Sequence, residues 1–143
     1  MGANEPNNEM PLVSIVDDDA SVRRSARRLL RSAGFQAEAF SSAEEFLGGG
    51  LAERTACVVL DLRMPGMNGL QLQRHLAETS NPASIVFLTA RISRFSDEEK
   101  RQALQSGNVQ FLQKPASKEV LLLAVENALK AWALTKGEHN GCD

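Results

Sequence analysis

Short apolar runs alternate along this chain with longer stretches in which apolar residues recur every three or four positions. Leu12-Val13-Ser14-Ile15-Val16 reads as a strand. After it, Val22, Ala26, Leu29, Leu30 and Ala33 share one face of a helix whose opposite face carries arginines. Gly34 suits the left-handed position that ends such a helix. Phe35 to Phe40 predicts a second strand, and Ser41-Ser42-Ala43-Glu44-Glu45 predicts a helix start, with a glutamate three residues behind a serine in either register. Gly48-Gly49-Gly50 closes that short helix. Because these glycines follow a helix instead of leading from a strand into one, they read as a loop and not as a phosphate-binding turn. Cys57-Val58-Val59-Leu60 is the kind of run that is buried on both faces of a parallel sheet, and it stops at Asp61. The turn-rich segment Arg63 to Gly69 leads into a helix marked by Leu70, Leu72, His75 and Leu76. Ser84 to Leu88 is a fourth strand ending at Thr89. Ser96-Asp97-Glu98-Glu99 is a capping box at the head of a mostly polar helix, closed by Gly107, that offers only Ala103, Leu104 and Phe95 to a core. Val109 to Leu112 is a short fifth strand before Lys114-Pro115. Leu121, Leu122, Val125, Ala128, Leu129 and Trp132 then line a last helix, with Val120, Leu123 and Ala124 widening its apolar face.

Strands alternating with helices imply right-handed βαβ crossovers and therefore a parallel sheet covered on both sides. The expected fold is a doubly wound α/β domain, a five-stranded parallel sheet flanked by five helices. In such sheets ligands sit beyond the carboxyl ends of the strands, at the topological switch point.

Composition bounds what that fold can be for. The chain has 143 residues, 43% hydrophobic and 24% charged, which fits one globular domain. The net charge of -2 gives no overall basic field for nucleic acid or an anionic membrane. That average hides a segregation. Residues 1–19 carry Glu5, Glu9, Asp17, Asp18 and Asp19 and no base, whereas residues 20–33 carry Arg23, Arg24, Arg27, Arg28 and Arg31 and no acid. Cys57 and Cys142 form no disulfide framework, and His75 and His139 suggest no zinc site. Neither an export signal nor an apolar span is expected, so the anticipated location is cytoplasmic.

The strand ends carry the chemistry. Strand one ends in Asp17-Asp18-Asp19, strand three in Asp61, strand four in Thr89 and strand five just before Lys114. Parallel strands present these ends on one edge, so the residues should meet in one acidic pocket holding a hydroxyl and an ammonium. Taken singly, each has a plain alternative: a helix cap for the aspartate run, a turn opener for Asp61, a strand-end β-former for Thr89, a solvated lysine for Lys114. Close carboxylates repel by on the order of 4 kcal/mol per pair at an effective dielectric near 20. A divalent cation removes that cost, and oxygen ligands of this kind suit Mg²⁺. One carboxylate of such a site can act as a nucleophile toward phosphorus, with the cation and Lys114 neutralising phosphoryl oxygens and Thr89 hydrogen-bonding one of them.

These residues resemble a known family, the CheY-like receiver domain of two-component response regulators. The likeness rests on Ile15-Val16-Asp17-Asp18-Asp19, Val59-Leu60-Asp61-Leu62-Arg63-Met64-Pro65-Gly66-Met67-Asn68-Gly69, Phe87-Leu88-Thr89-Ala90 and Phe111-Leu112-Gln113-Lys114-Pro115, and it spans roughly Leu12 to Trp132. Within the family it is similar to receivers of LuxR/FixJ-type transcriptional regulators. The resemblance implies a flavodoxin-like strand order 2-1-3-4-5. It implies Asp61 as phosphoacceptor for a phosphoryl group from a sensor histidine kinase or phosphotransfer protein, with Lys114 and Thr89 assisting. It also implies Asp17, Asp18, Asp61 and the Arg63 main-chain carbonyl as the Mg²⁺ site, where Mn²⁺ can substitute. Thr89 and Phe111 would form the switch that changes the surface of the fourth helix, fifth strand and last helix, leading to a phosphorylation-dependent homodimer. On this reading the chain is a signalling phosphoacceptor that assists its own phosphorylation and dephosphorylation, not an enzyme in the usual sense. Residues 1–11 would be a flexible N-terminal segment, 12–132 the receiver, and 133–143 a tail or the start of a linker to an absent output domain.

The sequence also departs from the family pattern. The stretch from Ala90 to Asn108 is longer than expected, with Arg91, Arg94 and Phe95 in place of a small loop. Ala116 follows Lys114-Pro115 where a phenylalanine is frequent, and Asn108 stands where a small residue is common. Three other functions compete. A phosphatase of the haloacid dehalogenase class needs an aspartate two residues after its nucleophile, where this chain has Arg63, and it needs length for a cap. A nucleic-acid binder could use the arginine stripe, but no aromatic platform or helix-turn-helix accompanies it, so no direct nucleic-acid binding and no membrane partner are expected. A pseudo-receiver would keep the fold as an interaction module and drop the phosphorylation.

Overall fold

Val58 and Leu60 point to one side of their strand and Cys57 and Val59 to the other, and all four lie in cores, as the period of two requires of a strand covered on both faces. The computed structural model describes residues 11–90, 96–105 and 108–141, with side chains described as far as Thr135. Its strands are β1 (Leu12–Val16), β2 (Gln36–Phe40), β3 (Thr55–Leu60), β4 (Ser84–Thr89) and β5 (Val109–Gln113). Its helices are α1 (Ala20–Ser32), α2 (Ala43–Gly48), α3 (Gly69–Glu78), α4 (Asp97–Gln105) and α5 (Lys118–Gly141), with a 3₁₀ turn at Ala52–Arg54. All pairings are parallel, in the order β2-β1-β3-β4-β5. The doubly wound sheet is therefore as expected, and so is its order.

Two apolar layers sandwich the sheet. On one side Val58, Leu60 and Phe87 pack with Phe46 of α2, Leu72 and Leu76 of α3 and Ala103 of α4. On the other, Val13, Ile15, Val59 and Val86 pack with Ala26 and Leu30 of α1 and with Leu121, Val125 and Ala128 of α5. Cys57 lies inside this second layer, where burial pushes its thiol up to about 12 and leaves it inert as a nucleophile or ligand.

The boundaries differ from the pattern where polar groups find partners. β3 begins at Thr55, two residues before its apolar run, because the Thr55 hydroxyl is shared between Ser14 Oγ at 2.8 Å and the Leu51 carbonyl at 2.8 Å. α1 ends as expected: Gly34, at φ +97°, lets its own N–H reach the Arg31 carbonyl and that of Phe35 reach the Leu30 carbonyl. α3 ends by the same two-bond motif but with Ser80 at φ 60° in the glycine's place, a terminus that carries no glycine signal. In α4, Ala103 is buried as predicted but Leu104 is 55% exposed, so it is no core contact; Phe95 and Gly107 lie outside the described residues. α5 runs on past Trp132 to Gly141. Among the described residues no helix is long and apolar enough to cross a membrane.

Candidate functional site

Strand register decides which residues meet. Val16 is paired with Leu60, so the next residues of these central strands, Asp17 and Asp61, lie side by side beyond the carboxyl edge. The ladder runs one residue further than the strands: the Asp17 N–H donates to the Phe40 carbonyl at 3.1 Å and the Asp61 N–H to the Val16 carbonyl at 3.0 Å. Both carboxylates are buried, at 2% and 7% exposure, whereas Asp18 is exposed. Carboxylate oxygens of Asp17, Asp18 and Asp61 all lie within 4.8 Å of one another. This corner lies where the chain's winding reverses, between β1 and β3.

The aspartate run divides its work. Asp19 is the cap of α1, accepting from the N–H groups of Ser21 at 2.9 Å and Val22 at 3.4 Å, so the plain reading holds for this member. Asp17 and Asp18 face the pocket. Asp17 is fully engaged: its Oδ1 accepts from the Asp19 N–H at 2.9 Å and its Oδ2 from Lys114 Nζ at 2.8 Å. Asp61 is held more loosely, by Lys114 Nζ at 3.5 Å and the Arg63 N–H at 3.4 Å.

Lys114 reaches both acids because β5 delivers it: Thr89 pairs with Gln113, and the Lys114 N–H donates to the Thr89 carbonyl at 2.8 Å. Thr89 itself is buried at the end of β4. Burial and the neighbouring Asp17 charge raise the Asp61 carboxyl above the ordinary aspartate value, against the opposing pull of Lys114. On Lys114, burial works against the ammonium, but bonds and charge from Asp17 and Asp61 outweigh it and raise its pKa. Three clustered carboxylates, two of them scarcely hydrated and sharing one ammonium, make an oxygen-donor site that fits a hard divalent cation such as Mg²⁺. The Arg63 peptide, through its N–H, is at the edge of this cluster. Phe111 is half-buried, stacked on Phe87 with ring centroids 5.4 Å apart and planes 12° apart.

The arginine stripe is less uniform than its spacing suggests. Arg23 Nη1 donates to the Asp17 carbonyl at 2.8 Å, and Arg27 and Arg31 pair with Glu38. Arg24 and Arg28 are exposed.

Two supporting residues were not legible as such. A Cβ on Gly69 would lie 2.6 Å from the Asp61 carbonyl oxygen and 3.1 Å from Phe87 Cε1, so only glycine lets α3 start against the back of Asp61. Glu44, read from the sequence only as a capping residue, accepts from the Met67 N–H at 2.9 Å and tethers the loop after β3 to α2. Gly66, at φ +75°, makes room for it, since a Cβ there would lie 2.8 Å from Glu44 Oε2.

A parallel 2-1-3-4-5 sheet with an acidic corner at its switch point, bridged by the lysine that follows the last strand, defines a CheY-like receiver fold. A profile of the response regulator receiver domain matches residues 13–126, most of the chain, and the protein belongs to that family. Among curated proteins it is 42% identical to the transcriptional regulatory protein TdiR of Thauera aromatica over 118 residues, covering 82% of this chain and 50% of TdiR. It is 34% identical to the transcriptional regulatory protein FixJ of Bradyrhizobium diazoefficiens over 119 residues, covering 82% and 56%. The chain thus spans about half the length of the curated relatives it matches. The structure of the response regulator StyR superposes with a TM-score of 0.84 at 41% identity, covering 94% of this chain and 66% of that one. Vibrio cholerae CheY4 superposes at 0.74 and 28% identity, covering 84% and 99%.

Proposed function

We propose that this chain is the phosphoacceptor of a two-component system, taking a phosphoryl group on Asp61 from a phosphohistidine of a sensor kinase or phosphotransfer protein in a Mg²⁺-dependent step. The observation that carries this reading is the convergence of Asp17, Asp18, Asp61 and Lys114 on one corner of the sheet. Asp61 is the better nucleophile of the two buried acids: both Asp17 oxygens are occupied at 2.8–2.9 Å, whereas Asp61 has only long contacts and a carboxylate that burial leaves poorly solvated. An Asp61 oxygen attacks phosphorus, the P–N bond to the donor imidazole breaks, and the imidazole leaves with that electron pair and takes up a proton. Asp17, Asp18, Asp61 and the Arg63 carbonyl would hold Mg²⁺, or Mn²⁺ in its place, which would supply charge neutralisation of the phosphoryl oxygens. Lys114 stays beside the new acyl phosphate as its counter-charge, and Thr89 turns its hydroxyl toward it.

Phe111 then shifts into the space that Thr89 leaves, altering the surface formed by α4, β5 and α5. We take this surface to control homodimerisation and output, transcription regulation in a longer protein. Val120 and Leu123, 46% and 57% exposed on α5, leave apolar surface there for a second copy. The chain assists its own phosphorylation and dephosphorylation without turning over a separate substrate, and its low cysteine content fits the cytoplasm.

Incubation with acetyl phosphate and Mg²⁺ tests the chemistry. The intact mass should rise by one phosphoryl group, and EDTA or Asp61→Asn should abolish the gain. An unchanged wild-type mass would favour the pseudo-receiver reading instead.

A further inference from the structure

α3 carries a polar residue on its inner face. Gly69, Leu72, Gln73 and Leu76 are its buried residues, at the i, i+3, i+4, i+7 spacing of a core stripe, and the glutamine is only 5% exposed. An amide in that position is costly unless it is bonded. Gln73 Nε2 donates to the Ala103 carbonyl of α4 at 2.9 Å, and that bond is buried. The acceptor needs a partner as much as the donor does, because Ala103 lies among the last four residues of α4, whose carbonyls have no partner within the helix.

Among the described residues, little else holds α4. Ala103 is its one buried residue, Leu104 faces solvent, and its other side chains are charged or amide. Among the described residues, α4 thus meets α3 through one buried methyl group and one buried hydrogen bond. The head of α3 rests on the acidic corner, where Gly69 packs against the Asp61 carbonyl and the Gly69 N–H donates to the Leu62 carbonyl at 2.9 Å. A ten-residue helix therefore has Asp61 at its head and the α4 attachment one turn in.

We propose that Gln73 is a latch that sets how often α4 is docked on α3, and that α3 carries movement of the Asp61 main chain to this latch by a route separate from Thr89 and Phe111. Such a device is a two-state element biased at one bond. The coupling half rests on the phosphoacceptor reading; the latch itself does not.

Hydrogen exchange of the whole chain tests both halves, comparing wild type with Gln73→Met, which keeps side-chain length and apolar packing but removes the donor. In the unmodified proteins, amides of residues 101–105 should exchange about fivefold faster in the variant, roughly what one net hydrogen bond is worth, while β1 and β3 keep their protection. Equal α4 exchange would overturn the latch. If Gln73→Met does not fold, Gln73→Asn, which keeps the amide one methylene short, provides the same comparison. After acetyl phosphate and Mg²⁺, wild type should change its α4 exchange, whereas the variant, carrying the same mass gain, should change little further. An equal change in both would overturn the coupling. A mass gain in neither would overturn the phosphoacceptor reading and the coupling with it, while the first comparison still decides the latch.

Discussion

Asp17 and Asp61 share one buried corner, and burial together with the Asp17 charge raises the pKa of Asp61. A folded-state carboxyl pKa above the unfolded one means that the ionised group opposes folding. The penalty is absent well below the ordinary aspartate range, grows as pH rises through that range to the folded value, and is constant above it. Asp61→Asn should therefore stabilise the metal-free protein at pH 7, by on the order of 1 kcal/mol, and the gain should fade as pH is lowered past the ordinary aspartate range. Thermal melts in EDTA across that range measure it; a gain independent of pH would assign the effect to something other than the Asp61 charge. Asp18, Asp61, Thr89 and Lys114 were legible in the sequence because each sits at a strand end, and parallel strands bring such ends together. Gln73 and Gly69 were not, since their roles depend on distances to Ala103 and Asp61 that only the packed helix creates.

Between elements, the loop from Leu62 to Asn68 is held where it enters α3. Asn68 caps α3 in a reciprocal box with Gln71, and Glu44 of α2 holds the Met67 N–H. That bond to Met67 keeps the Glu44 carboxyl below its ordinary pKa, so the tether is present above the usual glutamate range and is lost as pH falls through the lowered value. Because this loop also carries Arg63, Glu44→Ala should weaken Mg²⁺ binding about tenfold, the usual scale for a residue that orients a ligand from behind. Titration calorimetry at pH 7 would show it; unchanged affinity would make the Glu44 bond incidental to the site. Element types followed closely from the apolar periodicity. The misses came where polar groups are buried and satisfied: Thr55 extends β3 through Ser14, Gln73 enters a core stripe, and Ser80 ends α3 without a glycine.

At the scale of the molecule, near-neutrality conceals two adjacent fields of opposite sign, the acidic corner at the carboxyl ends of β1 and β3 and the arginines of α1 beside it. Arg23 joins the two through the Asp17 carbonyl, which anchors the first turn of α1 to the site. The sheet order was legible because crossover handedness and the family likeness allow few alternatives. The docking of α4 was not, since a helix with one buried residue leaves almost no trace in an apolar pattern. The account as a whole stands on Asp61 being the residue that carries the phosphoryl group. Borohydride reduction of the chain after acetyl phosphate and Mg²⁺, followed by peptide mass mapping, reads that directly, because an aspartyl phosphate is reduced to homoserine. The expected product is homoserine at position 61 alone; homoserine at position 17 or 18, or at no position in a chain that has gained the phosphoryl mass, would contradict the assignment.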